Sequence, residues 1–186
     1  MEKTLRQIPS DCLKIVLFGP ESSGKSTLAK QLAAYYSTVW VPEYMRTYLQ
    51  NKWDTTQELV NKEDLLPIAE GQLFAENESA KIARTYLFCD TNLLELKVYS
   101  QYYYNGYCPS EIVRACKENY YDHYFLTHID VPWQADDLRD RPYDREKLFR
   151  SFEDELNKNE LPYTLLVGSE KERLQKATQV LARLKT

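Results

Sequence analysis

The stretch Leu13-Lys14-Ile15-Val16-Leu17-Phe18-Gly19-Pro20-Glu21-Ser22-Ser23-Gly24-Lys25-Ser26-Thr27 decides how the rest of the chain is read. A short, mostly apolar run leads into Gly-x-x-x-x-Gly-Lys-Ser. A helical pattern over 25–36 follows, with Leu28, Ala29, Leu32, Ala33 and Tyr36 on one face. Strand, glycine-bounded turn and helix in this order are the context that the Walker A spacing requires. The glycines let the backbone turn tightly, so that successive N–H groups point at phosphate oxygens, and the helix N-terminus adds a favourable field for anions. Gly19, Glu21, Ser22, Ser23, Gly24, Lys25, Ser26 and Thr27 are therefore the expected nucleotide-binding residues. Lys25 supplies a mobile positive charge for the outer phosphates of ATP, Ser26 a hydroxyl oxygen for Mg²⁺, and Thr27 a further phosphate donor.

Outward from this segment, short apolar runs alternate with longer helical patterns. Strands are expected at Leu13–Phe18, 38–41, 87–90, 123–127 and 163–167. Helices are expected at 25–36, 43–53, 64–86, 92–104, 110–120 and 144–156, with a closing helix that carries Leu174, Ala177, Leu181 and Leu184. Such alternation predicts the α/β class: a P-loop NTPase three-layer fold with a five-stranded parallel sheet and helices on both faces. In sheets of this kind ligands sit beyond the carboxyl ends of the strands.

With 186 residues the chain suits one domain, expected to span 1–186 with a lid segment near 132–145. The formal net charge is −4 and no Lys/Arg block stands out, which argues against the basic face that a nucleic-acid partner needs. No run approaches the roughly 20 apolar residues of a membrane helix. The first dozen residues lack an apolar stretch, so no secretory signal is expected. Cys12, Cys89, Cys108 and Cys116 form no CxxC pair, and His123 and His128 add no metal-ligand spacing. Reduced thiols and a cytoplasmic setting follow; nothing in the sequence fixes an oligomeric state.

Acidic groups close several of the expected strands. Asp90, at the end of Leu87-Phe88-Cys89-Asp90, suits a Mg²⁺ ligand or a base for an attacking hydroxyl; its plainer reading is the N-cap of the next helix. Glu43 follows Val39-Trp40-Val41-Pro42 and lies three residues before Arg46, so the two are either acceptor-site groups or a surface ion pair. Asp130, in His128-Ile129-Asp130-Val131-Pro132-Trp133, either binds substrate or shapes a turn, and Trp133 either stacks on a ligand or packs. The run Asp136-Asp137-Leu138-Arg139-Asp140-Arg141-Pro142-Tyr143-Asp144-Arg145 reads alone as a solvated charged loop. Beside a phosphate loop, Arg139 and Arg141 become candidates to stabilise the charge of a moving phosphoryl group. The 15 tyrosines, including Tyr102-Tyr103-Tyr104, read mainly as packing.

Taken in order, these motifs resemble the ribosylnicotinamide kinase domain of the NadR-type NAD-biosynthesis proteins. The resemblance rests on Gly-Pro-Glu-Ser-Ser-Gly-Lys-Ser at 19–26, Glu43-Tyr44-x-Arg46, Phe88-x-Asp90-Thr91, Pro132-Trp133-x-x-Asp136-x-Leu138-Arg139 and Leu161-Pro162-Tyr163…Gly168. It covers the chain from about residue 13 onward. It implies transfer of the ATP γ-phosphoryl group to the 5′-hydroxyl of a nucleoside, nicotinamide riboside first. It also implies Ser26 and Asp90 at the metal and Arg139 as a lid arginine; with the reading of the residues above, Lys25, Asp90, Glu43, Arg139 and Arg141 form the expected catalytic set. By the resemblance Glu43 and Arg46 would lie near the acceptor and Gly168 near the adenine; Tyr44, Asp130, Trp133 and Asp136 join them as expected substrate-binding residues. The acceptor hydroxyl would lie between Glu43 and Asp90, one of which takes its proton. The sequence departs from the resemblance at Met45, where a small residue is usual, at Asn92, where a second acid is common, and at Asp137, where a glycine stands. No adenylyltransferase domain is expected in a chain of this length. The alternatives are a kinase for another nucleoside or metabolite, and a P-loop ATPase or nucleotide-dependent binding module.

Overall fold

The structure is a computed structural model that describes residues 5–134 and 143–184. The described chain runs β1 (Leu13–Phe18), α1 (Lys25–Tyr35), β2 (Trp40–Val41), α2 (Tyr44–Thr56), a short 3₁₀ turn (Lys62–Asp64) and α3 (Leu65–Ala80). It continues with β3 (Tyr86–Asp90), α4 (Leu93–Tyr103), α5 (Ser110–Glu118), β4 (His123–Thr127), α6 (Arg145–Lys158), β5 (Tyr163–Leu166) and α7 (Glu170–Leu184). The strands form one parallel sheet in the order β2-β3-β1-β4-β5, as the alternation predicts.

The period-two alternation of β1 sorts the core. Ile15 and Leu17 face one side, where they meet Leu28 and Leu32 of α1 and Ala177 and Leu181 of α7. Val16 and Phe18 face the other, against Val98 and Tyr99 of α4 and Phe149 and Phe152 of α6. Both sets are fully buried, which is why the strands read as near-continuous apolar runs. A third cluster joins Ile68 and Leu73 of α3 to Leu93 and Leu96 of α4 and Ile112 of α5, outside the sheet layers.

The expected helix over 64–86 ends instead at Ala80. Lys81 and Ile82 close it with hydrogen bonds to the Glu78 and Ser79 carbonyls, and Leu13 N–H donates to the Thr85 carbonyl. Tyr86 then opens β3, fully buried, with its hydroxyl donating to the Leu181 carbonyl. At the other end, Asn61 and Asp64 form a reciprocal capping box, with Asn61 N–H donating to Asp64 Oδ2 at 2.8 Å. The N-cap role open for Asp90 belongs to Asn92, which accepts from the Leu94 and Glu95 N–H groups. Among the described residues no helix is long and apolar enough to cross a membrane.

Helix α2 fully buries none of its residues; Met45, Tyr48 and Leu49 pack half-buried against the third cluster, and polar contacts seat the helix on α3. Tyr44 N–H donates to Gln72 Oε1 at 2.8 Å, Tyr48 hydroxyl to Asp64 at 3.0 Å, and Lys52 to Asp64 at 2.7 Å. Burial opposes the charge on Asp64, yet Lys52, Asn61 N–H and Tyr48 together hold its carboxyl below the usual aspartate value. Gly71, in the middle of α3, lets the Tyr44 ring lie directly on the helix: a Cβ there would stand 2.0 Å from Tyr44 Cε1. An alanine in an exposed helix interior usually stabilises by about 0.5–1 kcal/mol over glycine. Here Gly71→Ala is expected to destabilise by about 1–3 kcal/mol through overpacking. Urea unfolding checks this, and a midpoint raised above wild type would contradict the seating of α2.

Candidate active site

The turn between β1 and α1 is set by conformations that few residues tolerate. Gly19 sits at φ 138 with its Cα against β4, where a Cβ would meet Thr127 Oγ1 at 2.8 Å. Gly24, at φ 87, is the N-cap of α1 and carries no side chain to satisfy the first helical N–H groups. Leu28 N–H is the first to find its i−4 carbonyl, so Lys25, Ser26 and Thr27 N–H lack intrahelical acceptors. That leaves a helix N-terminus open to an anion. The loop's carbonyls, by contrast, are occupied. Lys25 Nζ donates to Gly19 O at 2.7 Å and Pro20 O at 2.8 Å. Ser23 Oγ donates to Pro20 O and meets Thr127 Oγ1 at 2.6 Å. Arg173 of α7, 3% exposed, donates to the carbonyls of Ser23, Gly168 and His128 and pairs with Asp130. Arg145 of α6 donates to Ser22 O at 3.1 Å and Val131 O at 3.0 Å.

The carboxyl end of β3 supplies the acidic side. Asp90 is 1% exposed and lies level with Leu17 in the sheet register. Its Oδ2 accepts from Ser26 Oγ at 2.5 Å, while its Oδ1 has no hydrogen-bond partner among the described residues. Burial pushes the Asp90 carboxyl up, partly offset by Lys25 and Ser26. Thr91 follows at φ 74, a conformation that costs a β-branched residue about 1–3 kcal/mol and turns the chain sharply into α4. Ser26 Oγ and Asp90 thus bring a hydroxyl and a carboxylate together with one oxygen in need of a partner, a donor set that suits a hard divalent cation.

In the first turn of α4 stands Glu95, 1% exposed, with Oε1 3.4 Å from Lys25 Nζ. Three carboxylates therefore act on Lys25. Burial alone would depress its pKa, but Glu95, Glu43 and Asp90 outweigh it and hold the ammonium above the usual lysine value. Beyond these charges opens a cavity of about 630 Å³. Its floor is the phosphate loop, and its walls include Glu43, Met45, Arg46 and Trp53 on the α2 side and Glu95 and Tyr99 of α4.

The expected site residues divide by place. Glu21, Ser22, Ser23, Gly24, Lys25, Ser26, Thr27, Glu43 and Arg46 all line the cavity. Tyr44 does not: its ring lies on Gly71, because α2 turns that position toward α3. Asp130 is taken up by Arg173 and by the Gly168 N–H at 2.6 Å, so Asp130 and Gly168 clamp the loop after β5 to α7. Trp133 lies 5.7 Å beneath the Arg145 guanidinium and does not line the cavity. Asp136, Arg139 and Arg141 lie outside the described residues.

Glu95, Tyr99 and Arg173 escaped the sequence reading. Glu95 left a signal, as a lone acid in Leu93-Leu94-Glu95-Leu96 directly after a strand-end aspartate and four residues before Tyr99. Tyr99 accepts from Glu21 N–H at 2.8 Å and so joins the same helix face to the loop. Arg173, within Glu170-Lys171-Glu172-Arg173, is indistinguishable by pattern from a solvated charge run.

Comparison with known proteins fits this arrangement. The chain is 30% identical over 126 residues to the trifunctional NAD biosynthesis/regulator protein NadR of Escherichia coli (strain K12), which covers 67% of this chain and 30% of that one. The Salmonella typhimurium protein of the same name matches with the same figures. The chain thus spans about 30% of the length of these curated relatives. Among solved structures, NadR protein in complex with NR superposes with a TM-score of 0.75 at 16% identity, over 94% of this chain and 52% of that chain. Thymidylate kinase from Ehrlichia chaffeensis superposes with a TM-score of 0.66 at 18% identity, over 93% of this chain and all of that one. At these identities the structural matches speak to the fold, which is that of P-loop kinases. A family model described as an AAA domain, AAA_28, matches residues 14–173, from the second residue of β1 to Arg173, and the chain belongs to that family.

Proposed function

We propose that the protein is an ATP- and Mg²⁺-dependent kinase that transfers the γ-phosphoryl group to the 5′-hydroxyl of a nucleoside, with nicotinamide riboside the first choice of acceptor. The observation that carries this reading is the cavity of about 630 Å³ that continues from the phosphate loop past Lys25 to the walls of α2 and α4. A nucleotide-controlled switch needs the loop but has no use for a cavity that runs on from it to the walls of α2 and α4. The matched relatives carry NAD biosynthesis in their names, and one matched structure holds NR, which supports the choice of acceptor.

In this reading the open N-terminus of α1 and Lys25 hold the triphosphate. Ser26 and Asp90 hold Mg²⁺, which when bound neutralises charge that builds on the phosphate oxygens. Lys25 is already desolvated and surrounded by carboxylates, so it stays charged when the site closes, and its interaction with a transferred phosphoryl group is strong in a site that excludes water. Glu43 and Arg46 bind the acceptor at the cavity wall. Arg139 and Arg141 keep their assignment to the charge of the transferred group, and residues 132–145 their assignment as a lid segment of one domain. The four free cysteines and the use of ATP support a cytoplasmic setting.

The membership of an AAA domain family keeps one other reading in view, an ATPase whose turnover serves a partner. ADP release from ATP·Mg²⁺, measured with and without a panel of nucleosides, separates the two. Strong stimulation by one nucleoside, with its monophosphate formed, is the expected result; steady ATP hydrolysis that no acceptor stimulates would favour the ATPase. Lys25→Ala is expected to cut acceptor-stimulated turnover at least about 100-fold while circular dichroism stays that of the wild type. Undiminished turnover in that variant would remove Lys25 from the chemistry. Asp90→Asn is expected to raise the Mg²⁺ concentration needed for half-maximal rate. A lowered rate with unchanged Mg²⁺ dependence would take Asp90 off the metal.

A further inference from the structure

Resting on the kinase reading above, we propose that Glu95 is the general base of the transfer, the group that takes the proton of the acceptor hydroxyl. Glu95 sits on α4 in the cavity wall, and only 1% of it is exposed. Neither of its carboxylate oxygens accepts a well-formed hydrogen bond among the described residues. A desolvated carboxylate whose nearest donor, Lys25 Nζ at 3.4 Å, is shared with two loop carbonyls is costly, and a leucine at this point would avoid that cost. Beyond the long contact with Lys25 its two oxygens have no donor among the described residues, and Glu95 is among the residues that line the cavity. A hydroxyl bound there lies next to Lys25, whose Nζ is 3.4 Å from Glu95 Oε1 and which holds the group to be transferred.

The two carboxylates named for this role by the sequence are placed less well. Asp90 Oδ2 is committed to Ser26, and Asp90 as a whole to the metal side. Glu43 precedes α2 at the cavity wall and is half-buried. The charged and titratable groups that face Glu95 are Lys25 from α1, Asp90 at the end of β3, Glu43 before α2, and Tyr99 one turn further along α4. Burial foremost, then Glu43 and Asp90, push the Glu95 carboxyl well above the usual range against the pull of Lys25. A base so placed is strong enough to accept a hydroxyl proton as the oxygen attacks. In the step, the acceptor O–H bond breaks and its proton passes to a Glu95 oxygen. The acceptor oxygen forms a bond to the γ-phosphorus, the bond from that phosphorus to the β–γ bridging oxygen breaks, and ADP leaves with the electron pair. The proton then leaves Glu95 for solvent as the products depart.

The test compares wild type, Glu95→Gln and Glu95→Asp in acceptor-stimulated ADP release as a function of pH, with binding of a fluorescent ATP analogue and thermal melting as controls. Glu95→Gln is expected to lower kcat by about 10²–10⁴-fold, to leave ATP binding intact, and to abolish the acidic limb of the kcat–pH profile. Glu95→Asp is expected to retain measurable turnover with that limb shifted. A Glu95→Gln variant that keeps the wild-type limb overturns the proposal. So does one that loses turnover and ATP binding together, since Glu95 then serves only to hold Lys25. If Glu95→Gln fails to fold, Glu95→Asp decides: a shifted limb with intact ATP binding supports the base, and an unchanged limb overturns it. A wild-type protein that no acceptor stimulates overturns the kinase reading and the base with it, a result seen before any substitution is made.

Discussion

The buried ammonium of Lys25 is the interaction on which the rest of the site depends. A lysine at 6% exposure would ordinarily lose its proton or its place. It keeps both because two loop carbonyls accept from it and three carboxylates surround it. Each of those groups is fixed by a different part of the fold: the carbonyls by the Gly19 turn, Asp90 by β3, Glu95 by α4 and Glu43 by the approach to α2. Remove the charge, and the three carboxylates would lose the cation they share.

The same point explains why so much of the protein grips the phosphate loop from behind. Arg173 reaches it from α7, Arg145 from α6, Tyr99 from α4 and Thr127 from β4. Three of the four bind its carbonyls or its Ser23 hydroxyl, while Tyr99 takes the Glu21 N–H. The helical N–H groups of residues 25–27 are left for an anion. Sheet order serves this arrangement directly, because β3 and β4 flank β1 and so bring Asp90 and Thr127 to either side of the turn. α2 forms a cavity wall whose seat depends on Asp64, Gln72, the absence of a side chain at Gly71 and the packing of Met45, Tyr48 and Leu49.

Much of this was legible in the sequence, for physical reasons. The doubly buried strands announced themselves as apolar runs, and the loop spacing follows from what a backbone must do to surround phosphate. The parallel sheet, the five strands and the phosphate-loop residues follow from those two signals. What stayed hidden depended on tertiary contact. The helix expected to reach residue 86 ends at Ala80, because the pairing of β3 with β1 claims Tyr86, and helical periodicity does not reveal that competition. Asp130 and Arg173 each looked like one charge among many, and only the fold shows them locked together. Glu95 is hidden because its neighbours Leu93, Leu94 and Leu96 read as packing, although a buried acid among them is itself the anomaly.

The central claim is that the compartment beyond Lys25 receives a hydroxyl to which the γ-phosphoryl group is transferred. Phosphorus NMR of the protein incubated with ATP·Mg²⁺ and nicotinamide riboside tests it most directly. The account predicts a growing phosphomonoester resonance in step with ADP, with no matching inorganic phosphate. Inorganic phosphate appearing alone, with this and every other nucleoside tried, would contradict it.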